Sequence, residues 1–184
     1  MTARVLLLPG LYNSGPDHWQ SHWEAAEPDF QRVMQDDWET PVLADWVARL
    51  DQAVNTATAD VVLVAHSSSC ALVAAWATRP GQPRQVRGAL LVAPSDSEAP
   101  SYPAGPRGFA PMPLQPIGFP SIVVASSNDE YVTVERAEFF ARSWRSRFIL
   151  AGALGHLNSA SALGMWPQGR ALLATLLAEA ATDR

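Results

Sequence analysis

The residues Val61-Val62-Leu63-Val64-Ala65-His66-Ser67-Ser68-Ser69-Cys70-Ala71-Leu72 take an apolar run straight into a run of helical character, with a serine at the junction. A serine hydroxyl becomes a useful nucleophile only when a base removes its proton and an acid orients that base. A helix starting beside Ser67 would also aim free backbone N–H groups and a positive dipole end at charge forming there. The chain holds four histidines, and His156 lies in the glycine-containing stretch Ala153-Leu154-Gly155-His156-Leu157-Asn158, after the last strand candidate. It is the candidate base. Asp129, in Ser127-Asn128-Asp129-Glu130 just past the apolar run Ile122 to Ser126, is the candidate acid. Asp96 follows the preceding strand in the same way and is its rival, and Glu130 is a weaker one. For the oxyanion donors, the segment Pro9-Gly10-Leu11-Tyr12-Asn13-Ser14-Gly15 has glycines that let backbone come close to a substrate. The expected pair is the N–H groups of Ser68 and Leu11, with Tyr12 as the alternative to Leu11.

Other chemistries are less well supplied. All thirteen basic residues are Arg, so a lysine Schiff base and a P-loop lysine are both excluded. His18 and His22 stand four apart, but Trp19 occupies the place where a zincin has Glu, so no metal site is expected. His18 reads as a substrate-pocket wall, and His66 is expected to point away from Ser67. Cys70 reads as a buried small hydrophobe. A net charge of -5 gives no concentrated basic surface, so nucleic acid is not an expected partner. No cofactor is expected.

These residues need a frame to converge. At 184 residues and 48% hydrophobic, the chain is expected to form one domain over residues 1–184. Short apolar runs alternate with helical patterns, the signature of βαβ units and a mostly parallel sheet. Strands are expected at Val5 to Leu8, Val61 to Ala65, Ala89 to Ala93, Ile122 to Ser126 and Arg147 to Leu150. The spacing predicts helices carrying Trp19 and Trp23 after Pro16, and Val42, Trp46, Leu50 and Val54 after Pro41. Further helices are expected from Ser67 to Thr78, after Thr133 as a cap, and around Leu172 to Ala180. From Pro94 to Pro120 the rhythm fails: eight of the fifteen prolines fall there. That segment is expected to be a flap over the site, since so long a connection exceeds the usual 2–6 residues. The N-terminus has no signal-peptide core and no stretch approaches the roughly 20 apolar residues of a membrane span, so a cytoplasmic protein without a membrane partner is expected.

A buried strand, a serine turn and a helix, with small residues Ala65 and Ser69 flanking Ser67, resemble the nucleophile elbow Gly-x-Ser-x-Gly of α/β-hydrolases. In that order of elements the base follows the nucleophile, and only His156 does so. More specifically, the chain resembles the retinoblastoma-binding-protein-9-like (YdeN-like) family of small α/β-hydrolase serine hydrolases. The resemblance rests on Pro9-Gly10, on Ser14-Gly15-Pro16-Asp17-His18-Trp19-Gln20-Ser21, on Gln35-Asp36-Asp37-Trp38 and on Ala65-His66-Ser67. It continues through Ser127-Asn128-Asp129, Glu135-Arg136-Ala137, Gly155-His156-Leu157-Asn158 and Gly164-Met165-Trp166-Pro167. It implies a compact α/β-hydrolase fold with helices on both sheet faces and no helical cap. It also implies a Ser67, Asp129, His156 triad and cofactor-free hydrolysis of small esters or amides. Thioesterase and peptidase activities share such a site. Ser69 departs from the family's Gly, which raises the alternative of a weakly active or inactive binding protein with a distorted elbow. The family's namesake meets the retinoblastoma protein through Leu-x-Cys-x-Glu. Here Ser68 and Leu72 stand in place of the Leu and Glu around Cys70, so that partner is not implied.

Overall fold

The computed structural model describes residues 3–81 and 85–182. Six strands run in parallel: β1 (Arg4–Leu8), β2 (Phe30–Arg32), β3 (Val61–His66), β4 (Val86–Val92), β5 (Ser121–Ala125) and β6 (Arg147–Leu150). Their order is β2-β1-β3-β4-β5-β6. Five α-helices connect or follow them: α1 (Trp19–Ala26), α2 (Leu43–Asn55), α3 (Ser69–Ala77), α4 (Val134–Trp144) and α5 (Pro167–Thr182).

The near-continuous apolar runs of β3 and β4 follow from burial on both sheet faces, and side-chain alternation divides them between two cores. Leu6, Leu8, Leu63, Ala65, Leu91 and Val123 face α2, α3 and α4. Val5, Leu7, Val62, Val64, Leu90 and Val124 face α1 and α5. On the second face Trp19, Trp23 and Trp166 pack together, with the Trp19 ring 4.7 Å from Trp23 and 5.0 Å from Trp166. No described helix is long and apolar enough to cross a membrane.

Several element boundaries differ from the expectation. α1 opens at Trp19, because His18 takes the cap and its Nδ1 accepts the Gln20 N–H at 3.2 Å. α2 opens at Leu43, because Pro41 and Val42 are extended alongside Arg107: the Arg107 N–H donates to Pro41 O and the Leu43 N–H to Arg107 O. β2 gave no sequence signal, being a three-residue edge strand that lacks alternation. Thr133 caps α4, its Oγ1 accepting the Arg136 N–H.

The segment 94–120 is not a flap along its length. Phe109, Met112 and Ile117 are buried in the core beside α2, α3 and α4. The indole of Trp144 donates to Pro113 O, and the Ile117 N–H donates to Trp144 O. Lifting those three side chains into water would cost on the order of 5 kcal/mol. Phe109, Met112 and Ile117 therefore fill the core while Leu114 is exposed, and only Tyr102 and Pro103 near the segment's start, with Ser95, reach the cleft.

Candidate active site

In an open parallel sheet, ligands bind beyond the C-terminal strand ends where the strand order reverses. Here the chain leaves β1 for β2 on one side and returns past β1 to β3 on the other, so the switch point lies between β1 and β3. The loop after β1 and the junction after β3 meet there. Ser67 sits at that junction with φ +60°, in the left-handed region. The sharp turn passes so close to the first loop that a Cβ on Gly10 would stand 2.6 Å from Ser67 Cβ. This close approach is where glycine is required. Ser69 is helical and buried, and its hydroxyl donates to Pro9 O at 2.6 Å, tying α3 to the end of β1. The distortion anticipated from Ser69 is absent, because its side chain has a partner and Ser67 still turns through positive φ.

The loops after β3, β5 and β6 bring the three predicted groups together. Ser67 Oγ lies 2.9 Å from His156 Nε2, and His156 Nδ1 lies 2.9 Å from each oxygen of Asp129. Ser67 and His156 are buried, as is the Asp129 side chain. Asp96, the rival acid, is occupied elsewhere: Arg136 of α4 donates to its two oxygens at 2.6 and 3.0 Å and reaches Glu98 at 2.7 Å. Ser95, unremarked in the sequence, lies 2.8 Å from Ser67 Oγ.

The loop carrying His156 is held from several sides. The Leu154 N–H donates to Ser126 Oγ, the Gly155 N–H to Asn128 Oδ1, and the indole of Trp19 to Leu157 O. His66 does not point away. It packs 4.9 Å from the His156 ring, and its Nε2 donates to the His156 carbonyl at 2.9 Å. Burial, with His18 and His156 beside it, holds its imidazole well below the usual histidine range, so the ring is neutral. The His156 ring also meets the Tyr131 ring, at 4.6 Å. His18 is also neutral, pushed down to about 3 chiefly by burial and then by the Arg32 charge. Its Nδ1 caps α1, so the proton sits on Nε2, which is buried and has no partner among the described residues. Sequence order could not reveal these roles for His66 and Tyr131, because their partners lie far away in the chain.

The loop after β1 is fixed by side chains that follow it in the chain. The Ser14 hydroxyl donates to Gln20 Oε1 at 2.7 Å, while Gln20 Nε2 donates to Leu8 O and Val64 O. Arg32 donates to Asn13 Oδ1 and Ser14 O, both at 2.8 Å. The Tyr12 amide is spent on Trp38 O at 2.8 Å, whereas the amides of Leu11 and Ser68 find no partner among the described residues. Both residues line a cleft of about 380 Å³ together with His18, Ser67, Tyr102 and His156. Among the described residues no Asp, Glu or Arg lines that cleft, and no group of three His, Cys, Asp or Glu side chains could hold a metal. Cys70 is buried in α3 and its thiol is pushed well up by burial.

The model of the serine hydrolase family matches residues 5–175. The chain belongs to the serine hydrolase family. This serine hydrolase is 29% identical to a protein from Pectobacterium atrosepticum described as a YdeN-like hydrolase, with a TM-score of 0.85 over 97% of this chain and 92% of that one. The YdeN product of B. subtilis is 18% identical with a TM-score of 0.74, over 96% of this chain and all of that one. Est1E of Butyrivibrio proteoclasticus is 10% identical with a TM-score of 0.68, over 96% of this chain and 89% of that one, a likeness of fold. No curated protein matches the chain.

Proposed function

We propose that this serine hydrolase cleaves small uncharged esters through an acyl-enzyme, with Ser67 as nucleophile, His156 as base and Asp129 as orienting acid. The observation that carries this reading is the continuous chain of 2.9 Å contacts from Ser67 Oγ through His156 to Asp129. Ser67 Oγ attacks the carbonyl carbon while its proton passes to His156 Nε2. The carbonyl electrons move onto oxygen, where the free amides of Leu11 and Ser68 are available to receive them. Collapse of that intermediate expels the alcohol, which takes the proton from His156. Water then repeats the sequence against the acyl-enzyme, giving the acid and restoring Ser67. The imidazolium formed in each half-reaction is stabilised by the buried Asp129 carboxylate.

The cleft supports the choice of substrate. Its volume admits a small molecule. The lack of charged lining groups disfavours substrates bearing a carboxylate or ammonium, which would lose hydration with no counter-charge. Est1E, a structural neighbour, is recorded with ferulic acid bound. That fits acyl transfer, since a carboxylic acid is the product released from an ester, a thioester or an amide alike. The whole chain then acts as a single catalytic domain.

The test is labelling by a fluorophosphonate probe with side-by-side turnover of p-nitrophenyl esters, acyl-thioesters and aminoacyl anilides. Ser67→Ala should abolish labelling, and Asp129→Asn should lower kcat about 10³- to 10⁴-fold. Asp96→Asn should keep its turnover. An unlabelled wild type, or equal labelling of Ser67→Ala, overturns the reading. A preference for anilides overturns the ester assignment alone.

A further inference from the structure

The nucleophile oxygen has a second neighbour. Ser95 is buried just beyond β4, and its Oγ lies 2.8 Å from Ser67 Oγ. No other hydrogen-bond partner for that side chain is found among the described residues. Proton counting assigns the direction of the bond. His156 Nδ1 faces both Asp129 oxygens and so carries hydrogen, leaving Nε2 as the acceptor of a neutral ring. Ser67 has one hydroxyl hydrogen, and it goes to Nε2. The hydrogen between the two serines must then come from Ser95.

We propose that Ser95 is a positioning residue that donates to Ser67 Oγ, holding the nucleophile's hydroxyl on His156 and keeping a hydrogen bond on Oγ as its proton leaves. The inference rests on the acyl-transfer reading above. Two effects follow from it. A serine side chain has three staggered positions, and contacts to both His156 and Ser95 select one of them. In addition, a donor serves an oxygen that is gaining negative charge better than it serves a neutral hydroxyl. The proton of Ser67 passes to His156 Nε2 while Ser95 keeps its own, so no extra acid or base is consumed. Once Ser67 is acylated its Oγ is an ester oxygen and a poorer acceptor, so the benefit falls on acylation.

The experiment compares wild type with Ser95→Ala, Ser95→Thr and Ser95→Val by fluorophosphonate labelling rate, steady-state turnover of a p-nitrophenyl ester, and thermal melting. Thr and Val match in shape and differ in the hydroxyl, so that pair removes the donor without changing the volume, even if Ala perturbs packing. The difference between a charged and a neutral acceptor corresponds to roughly a 3- to 10-fold loss in labelling rate and in kcat/KM for Ser95→Ala, the two readouts that report acylation alone. Ser95→Thr should label several-fold faster than Ser95→Val. Ser95→Ala labelling at the wild-type rate, an unchanged kcat/KM, or equal rates for Thr and Val each overturn the proposal. A wild type that the probe does not label overturns the acyl-transfer reading as well. A labelled wild type with indifferent Ser95 variants overturns only the role of Ser95.

Discussion

Two small residues show how closely the junction at Ser67 is built. Gly10 has no room for a side chain, since a Cβ would meet Ser67 Cβ at 2.6 Å, with both atoms on backbone that has nowhere to retreat. Gly10→Ala should therefore lower ester turnover by 10-fold or more, while Leu11→Ala, at the next position, changes it less. A shift of 1 Å at a reacting atom can cost about 10²-fold. Ser69 behaves in the opposite way from a misplaced glycine. Its hydroxyl serves Pro9 O, and replacing it removes a buried bond and places glycine in the first turn of α3. Ser69→Gly should destabilise the protein by about 1–2 kcal/mol in urea titration and leave turnover at or below the wild-type value. A sharp gain in turnover would instead show the serine to be a defect.

At the scale of elements, every strand end but that of β2 contributes one part of the site: the Pro9 to Gly15 loop after β1, Ser67 after β3, Ser95 after β4, Asp129 after β5 and His156 after β6. The connecting helices act as braces. α1 reaches the histidine loop through the Trp19 indole, and α4 occupies Asp96 through Arg136. The proline-rich segment belongs with the braces, because its aromatic and aliphatic residues complete the core over α2 and α4. Phe109 is fully buried with its ring 5.5 Å from Trp46. Phe109→Ala should cost about 3–5 kcal/mol of stability by urea unfolding. Turnover per folded molecule should be retained below the transition, whereas a lid residue would change KM without affecting stability.

For the whole molecule, two buried neutral histidines link folding to pH. The folded-state pKa of His18 is pushed down to about 3, and that of His66 lies well below the usual value of 6.5. The unfolded chain therefore binds more protons than the native one below about pH 6.5. The associated stability is fully present above that pH and is lost as the pH falls. Each histidine contributes a slope of up to about 1.4 kcal/mol per pH unit. Urea midpoints should drop between pH 7 and 5.5. His66→Gln, which keeps a donor for the His156 carbonyl but does not titrate, should make that drop shallower. A midpoint independent of pH over this range would contradict two neutral buried rings.

Much of the frame was legible along the chain. Continuous apolar runs marked β3, β4 and β5, helical spacing marked the buried faces of α1 and α2, and Thr133 announced the start of α4. These are local signals, because backbone periodicity and capping depend on neighbours a few residues away. The same locality placed a serine, an aspartate and a histidine each just beyond a strand. Local pattern could not decide which groups meet. Asp96 and Asp129 follow adjacent strands alike, and the difference is that Arg136 closes on one while His156 reaches the other. Tyr12 and Leu11 are neighbours, yet only Trp38, 26 residues after Tyr12, takes the Tyr12 amide. Ser95 and His66 acquire their contacts through residues 28 and 90 positions away. The short β2 and the packed proline-rich segment were hidden for the same reason. Their stability comes from surfaces supplied by distant parts of the chain, and only the assembled sheet brings those surfaces together.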